Sequence, residues 1–345
     1  IKSFLEIFLL MKDIKADFYE SNFNTYYEEI VFGQGDLYEF KPNIVFIHTT
    51  YRDIKLLPVK LKSESDVLKN EVILKFETIW SNLHERLDCT IIQNNIEMPL
   101  VRNFGSSDSS NELGRSKFIN EINMHINNYA QNRAGFYIND INYLSSYHGL
   151  ENWHHERSWS MGKYAFNYSL LPYFSFNLFS IIESIYGLKK KVLILDLDNT
   201  LWGGVIGDDG INNIKLGPDD PLSESFLRFQ EYVKHIQNTG VVLAICSKND
   251  MQNALDGLSH QHSLLKKDDF VSIKANWEHK SSNIIDIAKE LNLGLSSFVF
   301  IDDNPAEREE VKNRLPEVSV PEIGKDINEY IKIINSCNYF DRLAW

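Results

Sequence analysis

The second half of the chain carries four carboxylates, a hydroxyl and an ammonium group in a pattern that could do chemistry. These groups belong to Asp196, Asp198, Ser247, Lys280, Asp302 and Asp303. All but Lys280, which opens a predicted helix, follow closely on a short apolar run of the kind that forms a buried parallel strand. In open α/β sheets, ligands bind beyond the carboxyl ends of the strands. The sequence therefore predicts that these side chains meet in one site.

A cluster of carboxylates needs a counterion. Two carboxylates about 4 Å apart repel each other by roughly 4 kcal/mol at an effective dielectric constant near 20. Mg²⁺ relieves this repulsion, since it binds a few carboxylate oxygens, keeps some waters and also binds substrate phosphate. A carboxylate beside the ion can attack phosphorus and form an aspartyl-phosphate. The pattern thus predicts Mg²⁺-dependent phosphoryl transfer on a small phosphorylated metabolite.

The order of the groups suggests a role for each. Asp196 is the predicted nucleophile, and Asp198 can protonate the leaving group and then activate water. Hydroxyl, amide and ammonium groups at the neighbouring strand ends can hold phosphate oxygens and neutralise developing charge. The candidate phosphate-binding residues are Ser247, Lys248, Asn249 and Lys280. The alternative for Asp196 and Asp198 is an exposed turn rich in Asp and Asn, and for Lys280 a solvated lysine in a first helical turn.

Strands alternating with helices in both halves predict parallel sheets covered on both faces. In the second half, strands are predicted at Val192–Leu195, Val241–Cys246 and Phe298–Ile301, and helices at Leu222–Thr239, Asp250–Leu258, Lys280–Leu291 and Pro305–Arg314. In the first half, strands are predicted near Lys15–Tyr19 and at Asn43–His48, Thr90–Asn95 and Gly135–Asn139, and helices at Ile1–Asp13, Asn24–Phe32, Ser63–Asp88 and Ser116–Ala134. Gly149–Tyr168 reads as irregular, and Leu170–Leu188 as a helix.

The spacing of the site residues bears on access to the site. The interval from Thr200 to Ser247 holds a glycine-containing flap, Trp202–Gly210, and one predicted helix. The interval from Ser247 to Lys280 is predicted to hold only helix and turn. Neither interval can accommodate a sizeable cap domain, so the site is expected to be open.

Composition narrows the class of protein and of partner. The net charge of −13 makes nucleic acid an unfavourable partner. The 3 cysteines, at wide spacing, form neither a disulfide framework nor a zinc site, which fits a cytoplasmic location. Leu170–Leu188 is interrupted by polar residues and predicts no membrane span. The chain begins Ile1-Lys2 without methionine, so further residues are expected before it.

The motif set resembles that of the haloacid dehalogenase (HAD) superfamily. The resemblance rests on Asp196-x-Asp198-x-Thr200, Ser247, Lys280 and the pair Asp302-Asp303. It implies that Asp196 is the nucleophile and Asp198 the general acid and base, with the Asp198 backbone carbonyl also on the metal. Asp303 is then the third metal ligand, with Asp302 and Thr200 orienting the ligands from behind. The sequence alone does not rank Asp302 against Asp303.

Longer stretches are similar to the FkbH-like family, HAD phosphatase subfamily IIIC. They are Asp196 through Gly210, Ser247 through Asp250, Trp277 to Lys280, Asp302 through Arg308, and Trp153, Arg157 and Trp159. The resemblance implies an incomplete Rossmann-like, SGNH-hydrolase-like domain at 1–165 and a capless HAD-type phosphatase or phosphotransferase domain at 189–345. Both are expected to be three-layer α/β/α domains, joined by a helix at 166–188. It also implies a phosphorylated three-carbon acyl substrate, or a related metabolite, and transfer to an acyl carrier protein.

The sequence is also compatible with two alternatives to this enzyme. One is a catalytically silent HAD-fold scaffold that binds a carrier protein, against which the intact Asp196, Asp198, Ser247 and Lys280 argue. The other is a protein phosphatase, which the open site permits. Activity on small acyl phosphates but not on phosphopeptides separates the metabolite enzyme from a protein phosphatase.

Overall fold

A computed structural model of the chain describes residues 1–54 and 60–342. The chain forms two compact units, 1–182 and 183–345, and each unit contains one parallel sheet. Among the described helices, none is both long and apolar enough to cross a bilayer. The α/β fold class predicted from the sequence is confirmed.

The first unit contains helices α1–α8 and strands β1–β3, and α9 runs from this unit to the start of the second. The strands are β1 (Ile44–Ile47), β2 (Thr90–Asn94) and β3 (Phe136–Asn139). The helices are α1 (Lys2–Leu10), α2 (Tyr26–Phe32), α3 (Leu37–Phe40), α4 (Lys62–Arg86), α5 (Arg115–Gln131), α6 (Ile141–His148), α7 (Leu150–Trp153), α8 (Glu156–Gly162) and α9 (Leu171–Ile185).

The second unit carries the predicted chemistry. Its strands are β4 (Val192–Leu195), β5 (Val242–Ser247), β6 (Phe270–Ala275) and β7 (Phe298–Ile301). Its helices are α10 (Ile206–Asp209), α11 (Pro221–Asn238), α12 (Met251–Ser259), α13 (Lys280–Leu291), α14 (Pro305–Arg314) and α15 (Ile327–Ser336). The strand order is β6-β5-β4-β7, and every neighbouring pair is parallel.

Strand β4 explains why this sheet is covered on both faces. Leu193 and Leu195 pack in a core with α11, α12 and α15, whereas Val192 and Ile194 pack in a second core with α13 and α14. All four side chains are fully buried, and burial of each contributes roughly 1.5–3 kcal/mol. A strand buried on both faces reads as a continuous apolar run, which is why its bounds were predicted correctly.

In the first unit, β2 lies between β1 and β3. The indole of Trp80, from α4, is fully buried and donates from Nε1 to Gln93 Oε1 at 3.0 Å. Polar side chains at the carboxyl end of the sheet bond one another: Asn139 donates to Asn94, and Asn94 contacts the His48 ring. Since these buried groups satisfy one another, the strand ends remain packed despite their polarity.

Three predictions about local structure are wrong. Lys15–Tyr19 forms no strand; the Tyr19 side chain instead bonds Glu29 at 2.9 Å. Gly149–Tyr168 is not irregular, because it holds α7 and α8, and the His155 side chain accepts from the Ser158 N–H at the start of α8. The interval from Ser247 to Lys280 was predicted to hold only helix and turn, but it contains strand β6 at the edge of the sheet. Polar and exposed residues interrupt this strand, so it has no continuous apolar run.

A buried carboxyl in the first unit should make its stability depend on pH. Glu97 is fully buried; its Oε2 accepts from the Tyr51 N–H at 3.2 Å, and its Oε1 has no hydrogen-bond partner among the described residues. Burial, with a smaller contribution from Asp53, raises the pKa of Glu97 to about 8 from an ordinary 4.5. The unfolded chain releases this proton at lower pH than the folded chain. Stability is therefore lost as the pH rises from about 4.5 to 8, by up to about 1.4 kcal/mol per pH unit.

We expect Glu97→Gln to flatten this dependence and to stabilise the protein at pH 8, measured as the thermal midpoint at pH 5 and pH 8. Glu71→Gln, at an exposed position of α4, is the control and should leave the wild-type slope unchanged. Equal slopes for wild type and Glu97→Gln would show that Glu97 does not take up a proton on folding.

Candidate active site

The sheet of the second unit brings the predicted groups to its carboxyl edge. The Asp196 N–H extends the β4–β7 ladder by donating to Ile301 O at 2.9 Å, so Asp196 and Asp302 leave neighbouring strands together. The backbone turns directly after Asp198, where Asn199 has a φ of 55° and the Thr200 N–H donates to Leu197 O at 3.1 Å. An Asn tolerates this left-handed conformation, which explains its place in the motif.

A buried ion triad forms the centre of the site. Lys280 Nζ lies 2.8 Å from Asp196 Oδ1 and also bonds Asp302 Oδ2, and all three side chains are buried. Burial alone would lower the pKa of Lys280, but the Asp196 and Asp302 carboxylates raise it above its ordinary value. Burial and the Asp196 charge raise the pKa of Asp302 to about 7. The lysine is thus held as an ammonium beside the predicted nucleophile.

Three carboxylates are placed to hold a metal ion. One oxygen each of Asp196, Asp302 and Asp303 lies within 4.8 Å of the others. Asp196 Oδ1 is buried and, despite its contact with Lys280, has no partner in hydrogen-bond geometry. Asp302 has both oxygens engaged, one by Lys280 and one by the Asn304 N–H at 2.9 Å. Burial and the Asp196 charge raise the pKa of Asp303 to about 6. Three clustered carboxylate oxygens, two of them from acids of raised pKa, fit a cation site.

Asp198 is held by three donors rather than by the triad. Its Oδ1 accepts from Trp202 Nε1 at 2.9 Å and from the Ile206 N–H at 3.1 Å, and its Oδ2 accepts from Asn249 Nδ2 at 2.9 Å. Burial raises the pKa of Asp198, and the hydrogen bonds from Ile206 and Trp202 oppose that shift. A positioned carboxyl of raised pKa is suited to general acid and base work.

Trp202 is the first residue of the flap, and its indole is fully buried. Its hydrogen bond to Asp198 was not foreseen, although the four-residue spacing of the two is a signal that could have suggested it. Ring contacts carry the packing, whereas Nε1 orients the acid. We expect Trp202→Phe to keep the fold and lower kcat by roughly tenfold, the loss typical of one hydrogen bond to a charged group.

The Trp202→Phe effect should depend on the leaving group, since it acts through Asp198, the predicted general acid. The measurement is kcat on an alkyl phosphate, which needs protonation, beside an acyl phosphate, which needs it less. An equal loss on both substrates would indicate a general packing defect and contradict the orienting role.

The candidate phosphate-binding residues occupy the end of β5 and the turn after it. Ser247 is the buried last residue of β5, and its carbonyl accepts from the Asn276 N–H at 3.2 Å. Lys248 lines the cavity beside the triad, and its ammonium pairs with the Glu307 carboxylate at 2.7 Å. Asn249 turns its side-chain amide to Asp198. Ser247 and Lys248 thus border the space beside the triad, whereas the Asn249 side chain contacts Asp198.

Arg308 supports the acidic pair from behind, a role that sequence reasoning missed. Its guanidinium donates to the carbonyls of both Asp302 and Asp303 at 2.8 Å and pairs with Glu322 at 3.1 Å. The Asp303 N–H also donates to Thr200 Oγ1 at 3.3 Å. These contacts fix the backbone that carries two of the three clustered carboxylates. The signal was an arginine one helical turn into α14, directly after the acidic pair.

The site opens into a cavity of about 760 Å³. The triad, Asp198 and Asp303 lie on its wall, and Gly203, Gly204 and Val205 of the flap border it. Gly204 has a φ of 94° and approaches the Asp209 carboxylate so closely that a Cβ would lie 2.6 Å from it. The cavity volume falls in the range that encloses drug-sized ligands, so it exceeds what a phosphate group needs.

Comparison with known proteins finds relatives of the chain. Residues 9–183 match the family model for the FkbH N-terminal domain. The N-terminal part of protein BF1531 from Bacteroides fragilis, which contains a phosphatase domain and was crystallised with Mg, is 28% identical over 99% of this chain and 91% of that one, with a TM-score of 0.93. No curated protein matches the chain.

A weaker match is to 3-deoxy-D-manno-octulosonate 8-phosphate phosphatase from Moraxella catarrhalis, solved with magnesium ion, phosphate ion and KDO. It is 15% identical over 46% of this chain and 95% of that one, with a TM-score of 0.28, a value too low to bear on function. None of these matches tests the SGNH-like assignment, which stays a prediction. The chain belongs to the FkbH N-terminal domain family, and it combines that domain with the fold of a HAD-type phosphatase.

Proposed function

We propose that the protein is a Mg²⁺-dependent phosphatase of small phosphorylated metabolites and that it acts through an aspartyl-phosphate. The observation that carries the proposal is the buried contact of Lys280 with Asp196, beside Asp302 and Asp303, at the wall of an open cavity. An ammonium group there can neutralise charge on the transferred phosphoryl group. A silent scaffold has no use for so costly a cluster of buried charge.

The proposed reaction has two steps. In the first, an Asp196 carboxylate oxygen attacks phosphorus, the bond from phosphorus to the leaving oxygen breaks, and Asp198 donates its proton to that oxygen. In the second, water attacks the same phosphorus and gives a proton to Asp198, and the bond to Asp196 breaks to release phosphate. The three hydrogen bonds to Asp198 keep its carboxyl in place for both transfers.

The metal site is proposed to use Asp196, Asp303 and the backbone carbonyl of Asp198. Asp303 is preferred to Asp302 as the direct ligand because both Asp302 oxygens are already engaged. When bound, Mg²⁺ offsets the repulsion among the carboxylates and polarises the phosphoryl group. Ser247, Lys248 and Lys280 remain the proposed contacts of the phosphate oxygens.

A second candidate is transfer of a phosphorylated three-carbon acyl unit to an acyl carrier protein, which the family resemblance implies. The open cavity favours a substrate tethered to a large partner, since the described residues between Thr200 and Ser247 form only the flap, α10 and α11 in addition to β5. The test is to add carrier protein and follow its mass.

The test of the main proposal is phosphate release from a panel of sugar, alkyl and acyl phosphates and phosphopeptides. We expect release from small phosphates with Mg²⁺, none with EDTA, and none from phosphopeptides. In the absence of substrate, Mg²⁺ at a hundredfold excess over its Kd should stabilise the fold by about 2.7 kcal/mol. Release that persists in EDTA, or a melting temperature indifferent to Mg²⁺, would contradict the proposal.

A further inference from the structure

A large aromatic side chain lines the cavity beside the candidate phosphoryl site. Trp277 is 71% exposed and lines the same cavity as Asp196 and Lys280. It lies in the connection between β6 and α13, three residues before Lys280. Exposed single tryptophans occur on many surfaces without a role, but this one lies in the wall of the cavity beside Asp196 and Lys280.

Hydrogen bonds hold both the Trp277 ring and the loop that carries it. Its Nε1 donates to Asp250 Oδ1 at 3.0 Å. The loop beneath it is held by two hydrogen bonds between Asn276 and Asn283, of 3.1 and 2.8 Å, and by the Glu278 N–H on Asn276 Oδ1 at 3.1 Å. An indole that is fixed and also exposed can stack a ligand with little loss of side-chain entropy.

Other apolar side chains line the same cavity. Val205 in the flap is 39% exposed and Leu222 at the start of α11 is 47% exposed, and both line the cavity with Trp277. The acidic and basic groups of the triad lie on its wall with them. Ligand sites typically combine apolar and aromatic walls with a few convergent polar groups. The apolar surface therefore lies where the part of a substrate beyond its phosphate would extend.

We infer that Trp277, with Val205 and Leu222, forms the leaving-group site, and that the substrate is a phosphomonoester whose alcohol carries a ring. This inference rests on the proposed function and adds the substrate class to it. A ring offers a flat face to the indole, and stacking on an aromatic face exceeds what area alone provides.

The experiment measures binding with probes that cannot turn over, so that it does not depend on phosphatase activity. Isothermal titration in Mg²⁺ compares benzylphosphonate with methylphosphonate on the wild type, Trp277→Ala and Trp277→Phe. We expect the benzyl probe to bind the wild type about tenfold more tightly, Trp277→Ala to remove that preference and Trp277→Phe to keep most of it. Glucose 6-phosphate as a competitor then separates a sugar ring from an aromatic one.

Two results would overturn the inference. One is an unchanged benzyl preference in Trp277→Ala, and the other is an equal loss of both probes in that variant, which would mark the ring as support for the Lys280 loop. Tyr186→Ala, which removes another exposed aromatic of the second unit, is the matched control and should leave both affinities unchanged. Failure of phosphate release would sink the proposed function but leave the binding comparison decisive for Trp277.

Discussion

Asp196→Asn should abolish phosphate release while leaving the protein folded. The amide cannot attack phosphorus, so kcat should fall by at least about a thousandfold, as in other enzymes that lose a nucleophile. Stability without metal should hold or rise, because the substitution removes one carboxylate from a buried cluster and leaves Lys280 paired with Asp302. The measurements are single-turnover phosphate release and the thermal midpoint in EDTA.

Two further variants make this result specific. Asp198→Asn removes the proposed general acid, so its loss should be roughly 10²–10⁴-fold on an alkyl phosphate and smaller on an acyl phosphate. Asp268→Asn changes an exposed acid that does not line the cavity, and should be fully active. An active Asp196→Asn would rule out the aspartyl-phosphate and point to direct attack by water.

The sequence best predicts the part of the fold in which apolar strands alternate most clearly with helices. Strands β4 and β7 and helices α13 and α14 have the predicted bounds because each is an uninterrupted apolar run or a helix with a clear start. Pro305 at the first position of α14 and the Asn304 cap are such a start signal. The bounds of these elements depend on residues within and next to them, and those residues can be read from a single sequence.

Elements whose stability comes from distant partners were missed. Strand β6 pairs with β5, yet Ser272 and Lys274 interrupt its apolar residues, so it has no continuous apolar run. The segment Lys15–Tyr19 has strand-favouring residues only at Phe18 and Tyr19, and it pairs with no strand in the described part of the chain. Strand formation depends on the neighbour as much as on propensity, and a sequence read alone does not show the neighbour.

In the candidate site, too, some features could be predicted from the sequence and others could not. Residue types and order were enough to predict that Asp196, Asp198, Lys280 and the acidic pair converge, since parallel strands end at one edge. The supporting contacts were not predictable, because they depend on side-chain direction. Trp202 could have packed without reaching Asp198, and Arg308 could have pointed to solvent. The choice between Asp302 and Asp303 likewise became arguable only when the contact of Lys280 with Asp302 was seen.

Lys280→Met should destabilise the second unit in the absence of metal by about 3–5 kcal/mol. Methionine fills a similar volume, so the main change is the loss of the ammonium from between the Asp196 and Asp302 carboxylates. Removing one partner of a buried ion pair leaves an uncompensated buried charge, which costs far more than the intact pair contributes. Denaturant unfolding in EDTA measures the free energy, and we expect Mg²⁺ to restore part of it by taking over the neutralisation of Asp196.

Lys248→Met is the matched control for this prediction. Lys248 also pairs with a carboxylate beside the cavity, but its side chain is 36% exposed, whereas that of Lys280 is 3% exposed. Solvent screening limits such an exposed pair to about 0–1 kcal/mol, so Lys248→Met should unfold almost as the wild type does. If both variants lost the same stability, the burial of the Lys280 triad would not be what holds the charges together. If only Lys280→Met were unstable and Mg²⁺ restored its stability, Lys280 and the metal ion would both serve to neutralise the buried carboxylates.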